Sequence, residues 1–507
     1  MRNRYMGLEW TVAALIGAAV AVSAQGRGGG AWTTVGGDAQ RTSFVRSDPK
    51  ISLAAMQTPG FQFLWKRKLD NERLTQPLLL PNLIAHTGFK ALAFVGSASG
   101  QVYSIDYDLN RIFWQQKLAT SASKPAACSS GLPVLTKSTP LTIPTGRGGV
   151  GGGRGRGPTG PQIPGGRDAP NTVFAISTGG MVHVMNPQIG TDRIPPVKLL
   201  PPNANVAGSI LVDTTLYAAT TGNCSGVPNG VWSVDLAGEA SAPKTVQSYD
   251  AKGATIAGTA PPAFGTDGTL YIATGSGKSE VANAVVSLDQ KALTQKDWFA
   301  TTTPFTSNPV VFQYKGKDLI VAANQDGRLY VLDSTSLGGA DHKTPLHKSS
   351  QISATIGDST GVASWQDSAG TRWIVATVSG PLQADTKVAM ANGTVTAGTL
   401  VAFTVVDQND APTLQPQWTS RDLASPVTPA IVNGIVFALA SGEAKGRGRS
   451  SNAVVYALDA ATGKELWTSG NTITSPVRGV GPSAGDSQVY VAASDGTLYV
   501  FGMPMER

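Results

Sequence analysis

Cysteine and charge are both scarce in this chain of 507 residues, which carries two Cys and only 14% Asp, Glu, Lys and Arg. Two thiols cannot build a disulfide scaffold, and neither stands at a spacing that matches a zinc site. Helical periodicity is nearly absent beyond the first two dozen residues. With 59 Gly and 32 Pro, a coiled coil or helical bundle is excluded, because both need long runs rich in Ala, Glu, Lys and Leu. No segment approaches the roughly 20 apolar residues of a membrane-spanning helix. Also missing are a Gly-x-Ser-x-Gly elbow, a Gly-rich phosphate loop ending in Lys-Ser or Lys-Thr, and Cys-x-x-Cys-His. No residue presents itself as catalytic.

The net charge of +7 is concentrated in two tracts. Arg147, Arg154, Arg156 and Arg167 sit in TGRGGVGGGRGRGPTGPQIPGGR, and Lys445, Arg447 and Arg449 in AKGRGRS. Both interrupt strand patterns, so they read as a disordered insertion at 141–170 and a surface loop at 443–451, with no nucleic-acid partner expected. The first 24 residues have the parts of an export signal: Arg2 and Arg4, an apolar stretch from Thr11 to Val22, and Val22-Ser23-Ala24 before Gln25. A mature chain in the periplasm or outside the cell is expected, an uncleaved anchor being the alternative. No Cys follows the apolar stretch to accept a lipid. Residues 25–60 are assigned to an N-terminal extension and 61–507 to one repeat domain.

The repeat is the strongest signal. VVYALDAATGKELW, from Val454 to Trp467, combines a strand, an Asp at its end, a Thr-Gly turn and a short strand ending in Trp. The strand recurs as QVYSID, MVHVMN, VWSVD, AVVSLD, RLYVLD, TLVAFT, YALD and TLYVFG, eight times in all. A second strand precedes many of these, joined in two cases by Asp326-Gly327 or Asp495-Gly496. Such pairs predict two-residue turns with both central residues at positive φ. Further upstream stand short strands containing Pro, such as TQPLLL, SNPVVF, SPVTPAIV and SPVRGVG, which fits an innermost strand or sheet edge. Four strands repeated eight times predict an all-β, eight-bladed propeller of four-stranded antiparallel blades. The last unit lacks a fourth strand, while FQFLWKRKL from Phe61 to Leu69 has a strand and no unit. That N-terminal strand is predicted to complete blade 8 and close the ring. Trp114, Trp298, Trp418 and Trp467 are placed to cover the gap to the next blade.

The VYALDAATGKELW unit resembles the repeat of pyrroloquinoline quinone (PQQ) β-propeller proteins, and WTTVGGDAQRTSF, from Trp32 to Phe44, is similar to the segment that often precedes their first blade. The resemblance implies either a quinone- and Ca²⁺-dependent dehydrogenase of small alcohols or sugars, or a non-catalytic propeller that binds envelope proteins or a small ligand at one end of its channel. YAATTGN, from Tyr217 to Asn223, is similar to the loop whose Asn ligates calcium in such dehydrogenases, which makes Asn223 a candidate ligand to Ca²⁺ and the cofactor. The adjacent cysteine pair and the His-Asp-x-Trp-Asp stretch implied by the enzyme reading are not here, and SYDAKGATIAGTAPPAFG offers only Asp250. The binding or assembly module is therefore the preferred reading.

Cys128 and Cys224 fall in adjacent units, so a bridge between them is expected in an oxidising compartment, with two separate thiols as the alternative. His86 and His183 are scattered. His342 and His347, in DHKTPLH, read as solvated loop residues and not as a metal clip, because no third ligand accompanies them. Asp106, Asp235, Asp289, Asp333 and Asp459 recur at equivalent strand ends, where their carboxylates are expected to cap turns.

Overall fold

The computed structural model describes residues 32–57, 60–119, 128–141, 171–353, 361–383, 388–390, 392–443 and 449–504. The proposed signal segment and most of both Gly-Arg tracts lie outside them. Eight sheets, each built on four antiparallel strands, form a ring. Blade 1 runs Leu78–Ala85, Gly88–Gly96, Gln101–Asp106 and Arg111–Lys117 from the axis outward. All eight recurring strands occupy the third position of a blade. Their burial is nearly continuous instead of alternating, as in Ala284–Leu288, because each blade packs a neighbour against both faces. Blade 8 is closed as the repeat count requires. Gln62–Lys68 pairs antiparallel with Thr497–Gly502, Phe63 opposite Phe501 and Lys68 opposite Thr497. Both chain ends thus meet in one sheet, which leaves no edge between first and last blade.

Neighbouring blades are clamped by the tryptophans. Trp418 lies buried and donates its indole N–H to the Ala460 carbonyl at 3.0 Å, and Trp114 does the same to Pro187 at 2.8 Å. Each ring covers the turn between the third and fourth strands of the following blade. Gly463 in that turn has φ +72, and a Cβ there would stand 2.5 Å from Trp418. The recurrent aspartates cap these turns: Asp459 accepts from Ala461 and Thr462 N–H, Asp289 from Lys291 and Ala292, Asp235 from Ala237, and Asp333 from Thr335. Asp106 departs from the pattern, since it is buried and pairs with Lys90 at 3.3 Å.

Four local expectations need correction. In the Asp-Gly turns only the glycines have positive φ, Gly327 at +80 and Gly496 at +83. The aspartates instead keep ordinary φ and accept from the N–H two residues on, Arg328 and Thr497. SPVRGVG is not a strand, because the innermost strand of blade 8 is Ser483–Gly485 and the Pro-containing run is the loop before it. His342 is not simply solvated: its ring stacks on Trp298 at 3.6 Å. His347 pairs in a two-residue strand, His347–Lys348.

The segment that sequence reading left as an extension enters the ring. Residues 32–48 spiral once round the axis at one end of the channel and bond to the blades in order. Leu79, Lys137, Phe264, Val311, Ser364 and Ile431, from blades 1, 2, 4, 5, 6 and 7, donate their N–H to Trp32, Thr33, Ala39, Gln40, Thr42 and Ser43 at 2.8–3.1 Å. Thr34 donates its hydroxyl to Ser209 of blade 3, and Asp48 accepts from Ser487 of blade 8. Phe44–Val45 extends blade 7 as a short parallel strand. Gly36 and Gly37, at φ +82 and +84, supply the tight turn that lets the spiral start. Asp38 then caps the following turn by accepting from the Thr42 N–H and hydroxyl.

This stopper buries two cations. Arg41 donates to Thr34, Val35 and Pro262, and loss of water lowers its pKa to about 9. Lys137 is 3% exposed, donates to the Leu79 carbonyl and forms no ion pair among the described residues. Burial lowers its pKa from 10.5 to about 7.

Two outcomes follow. Gly463→Ala is expected to cost about 1–3 kcal/mol in chemical denaturation, because strain at positive φ adds to contact with Trp418. Gly238→Ala, with similar φ and nothing within 4 Å, should cost less. Between pH values of about 7 and 10.5 the unfolded chain retains a Lys137 proton that the folded chain has released, so stability should rise with pH. Melting temperatures between pH of about 7 and 9 should show that slope, and Lys137→Met should flatten it.

Candidate functional site

The innermost strands all run from the open end of the channel toward the stopper. In blade 2, Val134 and Leu135 face the opening while Lys137 meets Thr33; in blade 5, Asn308 and Val310 face it while Val311 meets Gln40. The open end, or mouth, is therefore walled by the loops that enter the innermost strands. A narrow axial cavity of about 50 Å³ lies directly above the stopper and includes Arg41 and Gln76. It continues into a wider pocket of about 270 Å³, set off the axis over blades 8, 1, 2, 3 and 4. Val35, Gln76, Gly258 and Val480 belong to both.

The wider pocket has an apolar wall, Leu132 to Leu135 with Val206 and Val480, and its charged groups are Arg73 and Arg478. Among the described residues no Asp, Glu, His or Lys lines either cavity. Arg73 donates to the Ser130 carbonyl at 2.9 Å, while the Ser130 N–H donates to Asn205 at 3.2 Å. Arg478 is half-exposed and meets Glu443 at 3.5 Å. A larger hollow of about 710 Å³ opens at the stopper end between blades 6 and 7. Its carboxylates are already spent: Asp367 accepts the Trp373 indole N–H, and Asp459 caps its own turn. The mouth is the better candidate.

Asn223 does not line the mouth. It is exposed, at φ 46, and exchanges hydrogen bonds with Asn229: its N–H donates at 2.8 Å and its side-chain oxygen accepts at 3.3 Å. Asn229, which sequence reading passed over, is wholly buried and also donates to Ala254. Its proximity to Asn223 in TGNCSGVPNG was visible, but nothing in the spacing marked it as the anchor. The TGN loop reaches the mouth through Thr221.

Calcium takes six to eight oxygens, usually with carboxylates among them, and alcohol oxidation needs a base beside the cofactor. Among the described residues the walls of the two cavities carry no carboxylate and no such base, and no three His, Cys, Asp or Glu stand close enough to hold a metal. The residues present do not fit a calcium-bound quinone. The Gly-Arg tracts are rooted at opposite ends. Glu443, the last described residue before the shorter tract, stands beside Arg478 at the mouth, whereas Leu141, the last described residue before the longer tract, accepts from Gln40 of the stopper.

Cys128 and Cys224 are joined, with Cα atoms 5.6 Å apart and 96 residues between them. Cys128 lies in the loop before the innermost strand of blade 2, six residues ahead of its first residue and not in the strand itself. The bridge ties this loop, which carries Ser130 and Leu132, to the TGN loop of blade 3. Replacing both cysteines by Ser should cost about 2–5 kcal/mol of stability. Denaturation of the variant beside untreated and reduced protein measures this, and equal midpoints would show that the bridge does not bear load.

Comparison with known proteins bears on the fold. A family model described as outer membrane protein assembly factor BamB matches residues 402–502, from the third strand of blade 6 to the third strand of blade 8. No curated protein sequence matches. Among solved structures, a europium-containing methanol dehydrogenase is similar at TM-score 0.59 and 12% identity, over 94% of this chain and 98% of its own. A quinohemoprotein alcohol dehydrogenase from Comamonas testosteroni gives 0.54 and 13%, over 94% and 82%. The computationally designed Ika8 protein gives 0.51 and 12%, over 87% and 100%. At such identities the likeness concerns the fold and not the activity. Repeat, ring and comparisons agree on the fold: the chain is an eight-bladed β-propeller whose residues 402–502 resemble the assembly-factor family.

Proposed function

We propose that this propeller is an exported binding or assembly module whose ligand or protein partner meets the mouth of the channel. The observation that carries the reading is the asymmetry of the axis. One end is filled by residues 32–48, while the other keeps an apolar pocket edged by arginine, with no carboxylate on its walls among the described residues. Rigid rings present such loop-built ends as recognition surfaces. The apolar stretch from Thr11 to Val22 and the Cys128–Cys224 bridge support export to an oxidising compartment. Among the described residues no helix is long and apolar enough to cross a membrane. The match of blades 6 to 8 to a family of assembly factors supports a protein partner.

The alternative, a PQQ- and Ca²⁺-dependent dehydrogenase, draws support from the two dehydrogenases of like fold. It conflicts with the donor set at the mouth. Titration with PQQ and Ca²⁺ separates the readings: no quinone absorbance on the protein, no rise in melting temperature and no dye reduction with an alcohol panel are expected. Saturable binding with turnover would replace this proposal by the enzyme. Pull-down from envelope extracts should recover a partner with the native chain and lose it when Val480→Glu places a carboxylate in the mouth. Equal recovery by both would move the contact elsewhere.

A further inference from the structure

Among the groups facing the off-axis pocket, Arg73 stands out for what it lacks. A guanidinium carries five N–H donors in a planar fork. Arg73 places one nitrogen on the Ser130 carbonyl at 2.9 Å and forms no ion pair among the described residues. Its position is fixed at the other end too, since the Ser130 N–H is held by Asn205 and the same loop is tethered through Cys128 to blade 3. The second arginine, Arg478, is already engaged with Glu443 in a pair open to water. The same pocket is lined by the apolar Leu132, Pro133, Val206 and Val480. At about 270 Å³ the pocket is at the small end of ligand sites, suited to one or two rings or a short acyl chain. With no carboxylate on its walls among the described residues, a cationic guest would have no counter-charge there, and a wholly apolar one would cover the guanidinium without pairing it.

Resting on the reading of the mouth as a binding surface, we propose that the off-axis pocket takes a small organic acid with an apolar body, its carboxylate paired with Arg73 and its body against Leu132, Pro133, Val206 and Val480. A carboxylate suits the fork because two parallel N–H···O bonds can form in one plane. The site differs from an axial cofactor position in that blades 5, 6 and 7 contribute nothing to it.

Calorimetric titration with 2-naphthoate and its neutral isostere 2-naphthamide tests the proposal on the full-length protein. The acid should bind about tenfold or more tightly, as charge-assisted bonds allow. Arg73→Gln should bring the acid down to the level of the amide and leave the amide unchanged, while Arg478→Gln should alter neither by more than about threefold. Val206→Phe, which fills the cavity without touching charge, should weaken both. Equal affinity for acid and amide, acid binding that survives Arg73→Gln, or no binding of either at millimolar concentration to folded protein would overturn the inference. Envelope partner recovery that depends on the mouth despite such a failure would leave the broader reading standing.

Discussion

Closure of the axis by residues 32–48 of the chain itself is the constraint on which this molecule depends. A ring of eight sheets brings the ends of eight innermost strands to one circle, where each has backbone groups with no partner in its own sheet. Water would satisfy them in an open channel. Here residues 32–48 do so, with at least one contact to every blade and in blade order, so a single strand of chain ties together parts of the sequence up to about 450 residues apart. The outer closure, Gln62–Lys68 against Thr497–Gly502, joins the ring at its rim. The spiral joins it at its hub.

The asymmetry of the hub determines what the other end can do. With the stopper as floor, the mouth becomes a blind pocket whose walls are the loops leading into the innermost strands. Those loops are held in place from outside by the Cys128–Cys224 bridge and the Asn223–Asn229 pair. Charge is distributed accordingly. The buried cations Arg41 and Lys137 belong to the floor and side of the stopper, and Arg73 and Arg478 to the rim. The recurrent Asp235, Asp289, Asp333 and Asp459 lie in turns after the third strands, where they accept backbone N–H groups.

Features repeated by every blade were legible in the sequence. The third strand recurs in all eight blades, an Asp at its end in five and a Trp in or beside the fourth strand in four, so periodicity reveals them without a structure. The missing fourth strand of the last unit could likewise be counted, and it pointed to Phe61–Leu69. What happens once was not legible. WTTVGGDAQRTSF gives no strand or helix period because it follows a circle and spends its backbone carbonyls on six different sheets. The mouth is hidden for the same reason, being assembled from loops with no common pattern. Asn223 was singled out by likeness to a calcium ligand, but its oxygen is turned to the backbone of its own loop. His342 looked like a solvated loop residue, and only the fold brings it onto Trp298.

Hydrogen exchange of the full-length protein tests the central claim most directly. The amides of Leu79, Lys137, Phe264, Val311, Ser364 and Ile431 all donate to the spiral, so their peptides should be protected to the same degree and lose protection together when Gly36→Val and Gly37→Val disrupt its turn, while third-strand peptides keep theirs. Rapid exchange of those six amides in the native chain, or protection indifferent to the paired substitution, would contradict the account.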